Sequence, residues 1–251
     1  MKQHQSTMIY KMNFSKLPVL FVLLMTSLFL SSCEKRWKKE GSGIVQTSTR
    51  NVADFDMIES YGSFDISYYQ SEGVYVVVKT DNNIIHDVKT YVRGEVLHIE
   101  MDEEYHNYDY TLMKIEVYGP IINHVELNGA IDFVMEDMVT SENLRIDHSG
   151  SGSARARYSG GHLRMGTNGS ADMAAIGECD YAEYHIHGSG KVDAVNMIAY
   201  DALADIFGSG DIYLHCEHDL AVNISGSGDV RYLGNPTITT EISGSGDVGP
   251  Y

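Results

Sequence analysis

Ser-Gly-Ser-Gly-Asp-Val, at residues 225–230, is repeated without change at residues 243–248. Weaker copies of this corner come before it, and the first glycines of the copies lie 18 to 21 residues apart, at positions 129, 150, 169, 188, 208, 226 and 244. A period near twenty residues without helical patterning is typical of a solenoid in which each repeat adds one turn. The sequence therefore predicts an all-β, single-chain β-solenoid over residues 129–251.

Apolar residues alternate with polar ones on both sides of each corner. Ile212 and Leu214 lie four and six residues after the first glycine of their corner. Val222 and Ile224 lie four and two residues before the next one. A period of two is the signature of strands with one buried face, so each turn is predicted to contribute two half-buried strands to a continuous core.

Residues 1–32 have the composition of a secretory signal peptide. Lys2, Lys11 and Lys16 precede an apolar run over residues 17–30, and small residues follow it. A charged start, a short apolar core and small residues before the cut are typical of such signals. The apolar run is also too short for a comfortable membrane span.

The signal ends at Leu30-Ser31-Ser32-Cys33, which resembles the bacterial lipoprotein box. The resemblance implies that Cys33 carries a lipid and becomes the mature N-terminus, with residues 33–43 as a polar tether. A lipid attaches a chain to a membrane without threading it through, so we expect a secreted, lipid-anchored protein at a bacterial outer membrane or cell surface. The alternative is an ordinary signal peptide with an incidental cysteine.

The mature chain is predicted to be strongly acidic. Removing residues 1–32 deletes three lysines and no acids, which leaves 15 basic residues against 35 acidic ones, a net charge of −20. Such a surface repels nucleic acid and favours solubility. We therefore expect no nucleic-acid partner, and contact with a membrane only through the N-terminal lipid.

Two cysteines remain besides Cys33. Cys179 and Cys216 lie ten and eight residues after the first glycines of their own corners, in turns that are two apart. At about 4.8 Å per turn, their Cα atoms would be roughly 9–10 Å apart, beyond the reach of about 7 Å that a disulfide allows. The spacing predicts two free, inert thiols.

Residues 44–128 are predicted to form a less regular β-rich half. The segment Gly62-Ser63-Phe64-Asp65-Ile66 carries the corner pattern, with the aspartate three residues after the glycine and an apolar residue four after it. Short apolar runs follow, separated by turn residues, and residues 102–110 form a polar, acidic and aromatic insertion.

The leader, the Phe55-Asp56-Met57-Ile58 opening, the corner at Gly62 and the terminal repeats together resemble the head GIN domain family of auto-transporter adhesins. The likeness covers nearly all of residues 44–251. It implies a right-handed β-helix-like fold, export to the cell surface and an adhesive role. It supplies no catalytic residues, so we expect neither an enzyme nor a cofactor. The departures from the repeat are Ala171 for the last corner glycine, and Ser153 and Lys191 where most turns have aspartate.

An aspartate recurs three residues after the first corner glycine. The members of this column are Asp65, Asp132, Asp172, Asp211, Asp229 and Asp247. Carboxylates stacked at about 4.8 Å repel one another, and calcium would relieve the repulsion because it prefers such ligands; its candidate ligands are Asp211, Asp229 and Asp247. The alternative is that each carboxylate accepts hydrogen bonds from turn amides. We favour this second interpretation and predict no metal site.

The acidic, aromatic insertion is the candidate ligand site. Tyr105, Tyr108 and Tyr110 are interleaved with acids that include Asp102 and Glu104. Tyrosine rings can stack on sugars while carboxylates accept hydrogen bonds from sugar hydroxyls. The alternative is that tyrosine simply suits solvent-facing strands.

Three functions fit these features. The lipid signal, the repeats and the family resemblance predict a non-enzymatic surface module for binding or adhesion, whose partner is a glycan or a surface protein. A carbohydrate-active β-helix enzyme is the alternative, but a glycoside hydrolase needs two carboxylates at a fixed separation, and the acids here form a column. A third possibility is a scaffold that assembles with copies of itself, because the abrupt end at residues 247–251 leaves the last turn with little cover.

Overall fold

The computed structural model describes residues 38–102 and 107–251, and all regular structure in these ranges is β. The strands are β1 (Lys38–Glu40), β2 (Val45–Asn51), β3 (Met57–Gln70), β4 (Tyr75–Asp81), β5 (Val88–Arg93), β6 (Val96–Met101), β7 (Asn107–Asp109), β8 (Met113–Gly119), β9 (His124–Met135), β10 (Val139–Gly169), β11 (Asp172–Gly188), β12 (Lys191–Gly208), β13 (Asp211–Gly226), β14 (Val230–Leu233), β15 (Thr237–Gly244) and β16 (Val248–Pro250). Within these ranges, no helix is long and apolar enough to cross a membrane. The predicted signal peptide and Cys33 lie outside the described residues.

Strands β9 to β13 stack in parallel and form the body of the solenoid. Each pairs with the next along the chain, and β13 then pairs with both β14 and β15. The corner glycines fall in register, so that Gly169 pairs with Gly188 and Gly188 pairs with Gly208. The predicted solenoid is confirmed, with each corner directly over the one before it.

Backbone crowding at the corners explains why each repeat needs its first glycine. From Gly129 to Gly244 these glycines have φ between +131° and +145°, a region that residues with side chains rarely adopt. A Cβ atom on any of them would lie 2.0 to 2.4 Å from the carbonyl oxygen of the corner glycine one turn earlier. The conformation and the contact therefore both exclude a side chain.

The alternating apolar residues fill the interior, except in the last turn. Val222 and Ile224 are buried, as the period of two predicts. Ile242 pairs with Ile224 and has the same inward position, but it is 45% exposed. Among the described strands β15 pairs only with β13, so no further turn covers it. β15 therefore offers the unpaired edge that the predicted assembly between copies would use. The assembly itself stays a prediction.

The first turn of the solenoid comes much earlier in the chain than the regular repeats. β3 pairs in parallel with β9, and Gly62 lies opposite Gly129. The residues between these strands fold as a cap, in which β6 pairs with the first part of β3 and β8 with the last part. β4 adds to β8 and β2 adds to β4, both antiparallel. One end of the stack is thus closed by antiparallel strands.

The chain enters the fold through residues that the sequence places in the polar tether. Lys38–Glu40 form β1, which pairs in parallel with β7 of the insertion. Asp81 is fully buried and accepts hydrogen bonds from the amides of Gly43 and Thr111, both at 2.7 Å. The bond from Thr111 is the main reason that the pKa of Asp81 is lowered. The end of the predicted tether is therefore part of the folded domain.

Cys179 and Cys216 are both free and buried, as predicted. Each pairs with Ala199 of the strand between them, which places the two thiols in one column two turns apart. Burial raises the pKa of Cys179 to about 12 and also raises that of Cys216. Both side chains therefore stay protonated at neutral pH, and thiolate chemistry is suppressed.

Replacing Gly208 by alanine should destabilise the protein by at least about 2 kcal/mol, because it combines a strained φ with a backbone clash. The new Cβ would lie 2.2 Å from the carbonyl oxygen of Gly188. Urea unfolding followed by far-ultraviolet circular dichroism measures the loss. Gly166→Ala is the matched control, since Gly166 lies in the same stack without a positive φ, and its stability should change by less than about 1 kcal/mol. Equal effects of the two substitutions would contradict the corner constraint.

Candidate functional site

The aspartates of the last corners are tied to one another through backbone amides. The amide of Asp229 donates to the carboxylate of Asp211, and the amide of Asp247 donates to that of Asp229, both at 2.9 Å. Arg231 also lies between the last two, 3.3 Å from Asp229 and 3.0 Å from Asp247. The contacts support the structural interpretation of the column, with the amide donor supplied by the next turn. Calcium binding here stays an untested alternative.

Two departures from the aspartate pattern interrupt the row of like charges. In register, Ser153 lies between Asp132 and Asp172, and Lys191 lies between Asp172 and Asp211. The Ser153 hydroxyl donates to Asp132 at 2.7 Å. A neutral donor and a cation thus separate carboxylates that would otherwise stack at strand spacing.

The aromatic insertion uses two of its three tyrosines to fasten itself to the domain. Tyr108 donates to the carbonyl oxygen of Asp102 at 3.1 Å, and Tyr110 donates to that of Ser63 at 3.0 Å. Both rings pack against the hydrophobic core. The other two candidates, Glu104 and Tyr105, lie outside the described residues. The sugar-binding role of this segment stays a prediction.

One group of three metal-ligating side chains exists within the described ranges: Asp201, His218 and Asp219. His218 Nδ1 lies 2.9 Å from a carboxylate oxygen of Asp201 and 3.3 Å from one of Asp219. The hydrogen bond to Asp201 is the main reason that the pKa of His218 is raised. This group was not predicted from the sequence, because Asp201 belongs to the previous turn. Its side chains are 38% to 59% exposed, and one side-chain hydrogen bond joins them, between His218 and Asp201.

The outward side chains just before the corners form a charged surface, here called the pre-corner face. Its ion-paired members are His124, Arg145, Asp147, His162, Arg164, Glu183, His185 and Asp205. Burial alone would raise the pKa of Glu183, but the hydrogen bond from His185 and the charges of His162 and Arg164 outweigh burial and lower it. A carboxylate held ionised in this way is unsuited to act as a general acid, which needs a raised pKa.

An open cavity of about 530 Å³, here called the corner groove, lies on this face towards the last turns. Its outward side chains are those of His187, Asp205, Phe207, Asn223, Ser225, Glu241 and Ser243. Phe207 is 66% exposed, and its ring meets that of His187 edge-on with centroids 6.1 Å apart. Ser225 and Ser243 occupy the position of Phe207 in the next two turns, so small side chains leave space beside the ring.

The corner groove was not predicted from the sequence. The available signal was the residue immediately before each corner glycine, which changes from His187 and Phe207 to Ser225 and Ser243. The change from large to small side chains forms a cavity only because the parallel register stacks these four residues in one column.

His148 is an inward-facing histidine in the core of the stack. It is 1% exposed, and its Nε2 lies 2.9 Å from the carbonyl oxygen of Ile131. A carbonyl only accepts, so Nε2 carries the proton; Nδ1 is buried without a hydrogen-bond partner. Burial is the main cause of the lowered pKa of His148, because charging the ring would bury an unpaired N–H group.

Comparison with known families agrees with this architecture. The family described as "Putative auto-transporter adhesin, head GIN domain" matches residues 54–236, which include β3, the cap and most of the solenoid. The chain belongs to the head GIN domain family. A search among curated proteins returned no match.

Solved structures similar to this GIN domain include proteins from Parabacteroides distasonis and Bacteroides fragilis. A "putative lipid binding protein" from Parabacteroides distasonis is 25% identical, with a TM-score of 0.72, and the match covers 86% of this chain and all of that one. A "putative adhesin" from Bacteroides fragilis is 24% identical, with a TM-score of 0.79 and coverage of 84% and 99%. The second likeness shows the fold alone, and it confirms the β-solenoid.

The core position of His148 predicts a loss of stability in acid. The pKa of His148 is depressed in the folded state, so its contribution is present above the ordinary value of about 6.5 and is lost as pH falls below it. Replacing His148 with leucine should lower stability at neutral pH, because the carbonyl oxygen of Ile131 loses its donor, and should reduce the slope of unfolding free energy against pH between 6.5 and 5 by up to about 1.4 kcal/mol per pH unit. Urea titrations at several pH values measure both slopes, and identical slopes would contradict the assignment.

Proposed function

We propose that this GIN domain is a non-enzymatic adhesion module, displayed on the surface of a bacterial cell by a lipid on Cys33. The observation that carries the proposal is the corner groove: a rigid parallel stack presents an exposed aromatic ring and polar side chains in an open cavity. Binding sites combine apolar surface with a few placed polar groups. The family to which the chain belongs is named for adhesion, which agrees with such a surface.

The state of the carboxylates favours binding over hydrolysis. Asp147 and Glu183 on the pre-corner face are ion-paired, and both have lowered pKa values although burial acts in the opposite direction. Glycoside hydrolases instead keep one carboxyl group protonated as the acid. The name of the Parabacteroides distasonis protein raises lipid binding as another activity. The corner groove has serine, asparagine and acidic side chains beside Phe207 and three isoleucines, and its outward polar groups favour a hydrophilic ligand.

Cells that display the full chain should be retained under flow on wells coated with glycoproteins and polysaccharides. Cys33→Ser is the matched variant, because it removes the lipid acceptor and leaves the described domain unchanged. It should release the protein into the medium and reduce retention of the cells to that of cells lacking the protein, as counted by microscopy.

Two outcomes would overturn separate parts of the proposal. If intact-mass analysis shows an unmodified Cys33 in the membrane fraction, the lipid anchor is wrong. If cells displaying the anchored protein are retained no better than cells lacking it on every coating, the adhesive role is wrong.

A further inference from the structure

We propose that the corner groove is a carbohydrate site that takes a neutral or amino-bearing pyranose residue, stacked on Phe207. The inference rests on the proposed binding function and adds the site and the class of ligand. Pyranose rings present an apolar C–H face that packs on aromatic rings, while their hydroxyl groups need hydrogen-bond partners nearby. The groove offers both kinds of contact.

Phe207 is the apolar platform. The residue is 66% exposed, and the polar side chains of Asp205, Asn223 and Ser225 lie around the same cavity. The ring of His187 meets it at 70°, so the two rings do not stack and much of the Phe207 ring stays open to a ligand. Ser225 and Ser243 leave room beside it in the following turns.

Asp205 fixes the polar side of the groove. Its carboxylate accepts a hydrogen bond from the side-chain amide of Asn223 at 2.6 Å and lies 3.1 Å from His185 Nδ1. The bond uses one N–H of Asn223 and turns its amide in a defined direction. Glu241, one turn further on, lines the same cavity and is exposed, so it can accept bonds from sugar hydroxyls. A volume of about 530 Å³ is in the range of small-ligand sites.

The charge of the groove selects among sugars. Asp205 and Glu241 line it, and none of its lining residues is lysine or arginine. A uronic or sialic acid would bring a third carboxylate beside these two, which like-charge repulsion opposes. A neutral sugar meets no such cost, and an amino sugar gains an attraction.

Two other described cavities lack this combination. The cavity of about 740 Å³ beside Ile121 and Pro120 has no aromatic ring in its lining. The cavity of about 340 Å³ beside Ile198 contains Tyr200, but the ring of His218 stacks on Tyr200 at 4.7 Å between centroids and occupies one of its faces. The corner groove is therefore the better sugar platform.

The test uses the full-length lipidated protein in detergent micelles and a panel of immobilised oligosaccharides. The panel contains neutral gluco-, galacto- and manno-oligosaccharides, chitosan oligosaccharides and oligogalacturonate. We expect saturable binding to at least one neutral or amino member and none to oligogalacturonate. Phe207→Ala and the groove-filling Ser225→Trp should each weaken that binding at least tenfold.

Tyr61→Ala is the matched control. Tyr61 is an exposed aromatic in the same stacked column as Phe207, five turns away, or roughly 24 Å at the spacing of parallel strands. Its replacement should leave binding unchanged. Equal circular dichroism spectra of the three variants would show that the fold is intact.

Several results would overturn the inference. These are no binding to any neutral or amino member, binding to oligogalacturonate alone, or binding that Phe207→Ala leaves unchanged. Loss on Tyr105→Ala with Phe207→Ala unaffected would move the site to the insertion. Retention of cells under flow separates the two proposals: if cells displaying Phe207→Ala adhere as well as the parent, adhesion stands and the carbohydrate site in this groove is wrong.

Discussion

Every corner of this protein is held against the next by a contact that only glycine permits. The carbonyl oxygen of one corner glycine occupies the place where a Cβ atom of the next would be. The backbones can therefore approach closely while each corner adopts a positive φ. A solenoid gains its stability from contacts between neighbouring turns, and these contacts require the strands on both sides of the corner to stay in one register. The insertion and the cap depend on the same register, because β3 enters the stack at Gly62.

A fixed register stacks the residues at each repeat position into a column. Identical side chains in one column lie at strand spacing, so a column of like charges needs compensating groups. The aspartate column has three kinds: backbone amides of the next turn, Arg231 between two carboxylates, and Ser153 and Lys191 in place of aspartate. The pre-corner face alternates imidazole, guanidinium and carboxylate groups from turn to turn. Because these pairs are partly exposed, each contributes little stability; their main effect is that Asp147 and Glu183 each have a guanidinium or an imidazole beside them. Departures from the repeat are therefore part of its electrostatic balance.

The corner groove arises from a departure in a neighbouring column. A row of serines alone would leave a flat surface, and a row of aromatic side chains would fill it. Because Ser225 follows Phe207 in the column, the phenyl ring forms one side of a cavity and the small serine leaves the space beside it open. A solenoid can acquire a site in this manner without any change in its backbone, because the stacked strands already hold the side chains in place. The same reasoning separates Phe207 from Tyr108 and Tyr110, whose rings pack against the hydrophobic core and whose hydroxyls donate to Asp102 and Ser63.

The sequence by itself determined the all-β class, the turn length, the buried and exposed faces and the separation of Cys179 from Cys216, because glycine corners and a period of two are local signals that every repeat restates. Only the tertiary structure decided how residues far apart in the chain meet. The pairing of β3 with β9, the cap formed by β6 and β8, the approach of Asp201 to His218 and the corner groove all depend on which turn lies over which. Such contacts close long loops and leave no periodic trace. The residues of the groove can be read from the sequence, but their proximity cannot. They lie close together because successive turns stack at strand spacing, and the sequence of one turn does not show which residues of the next turn lie beside it.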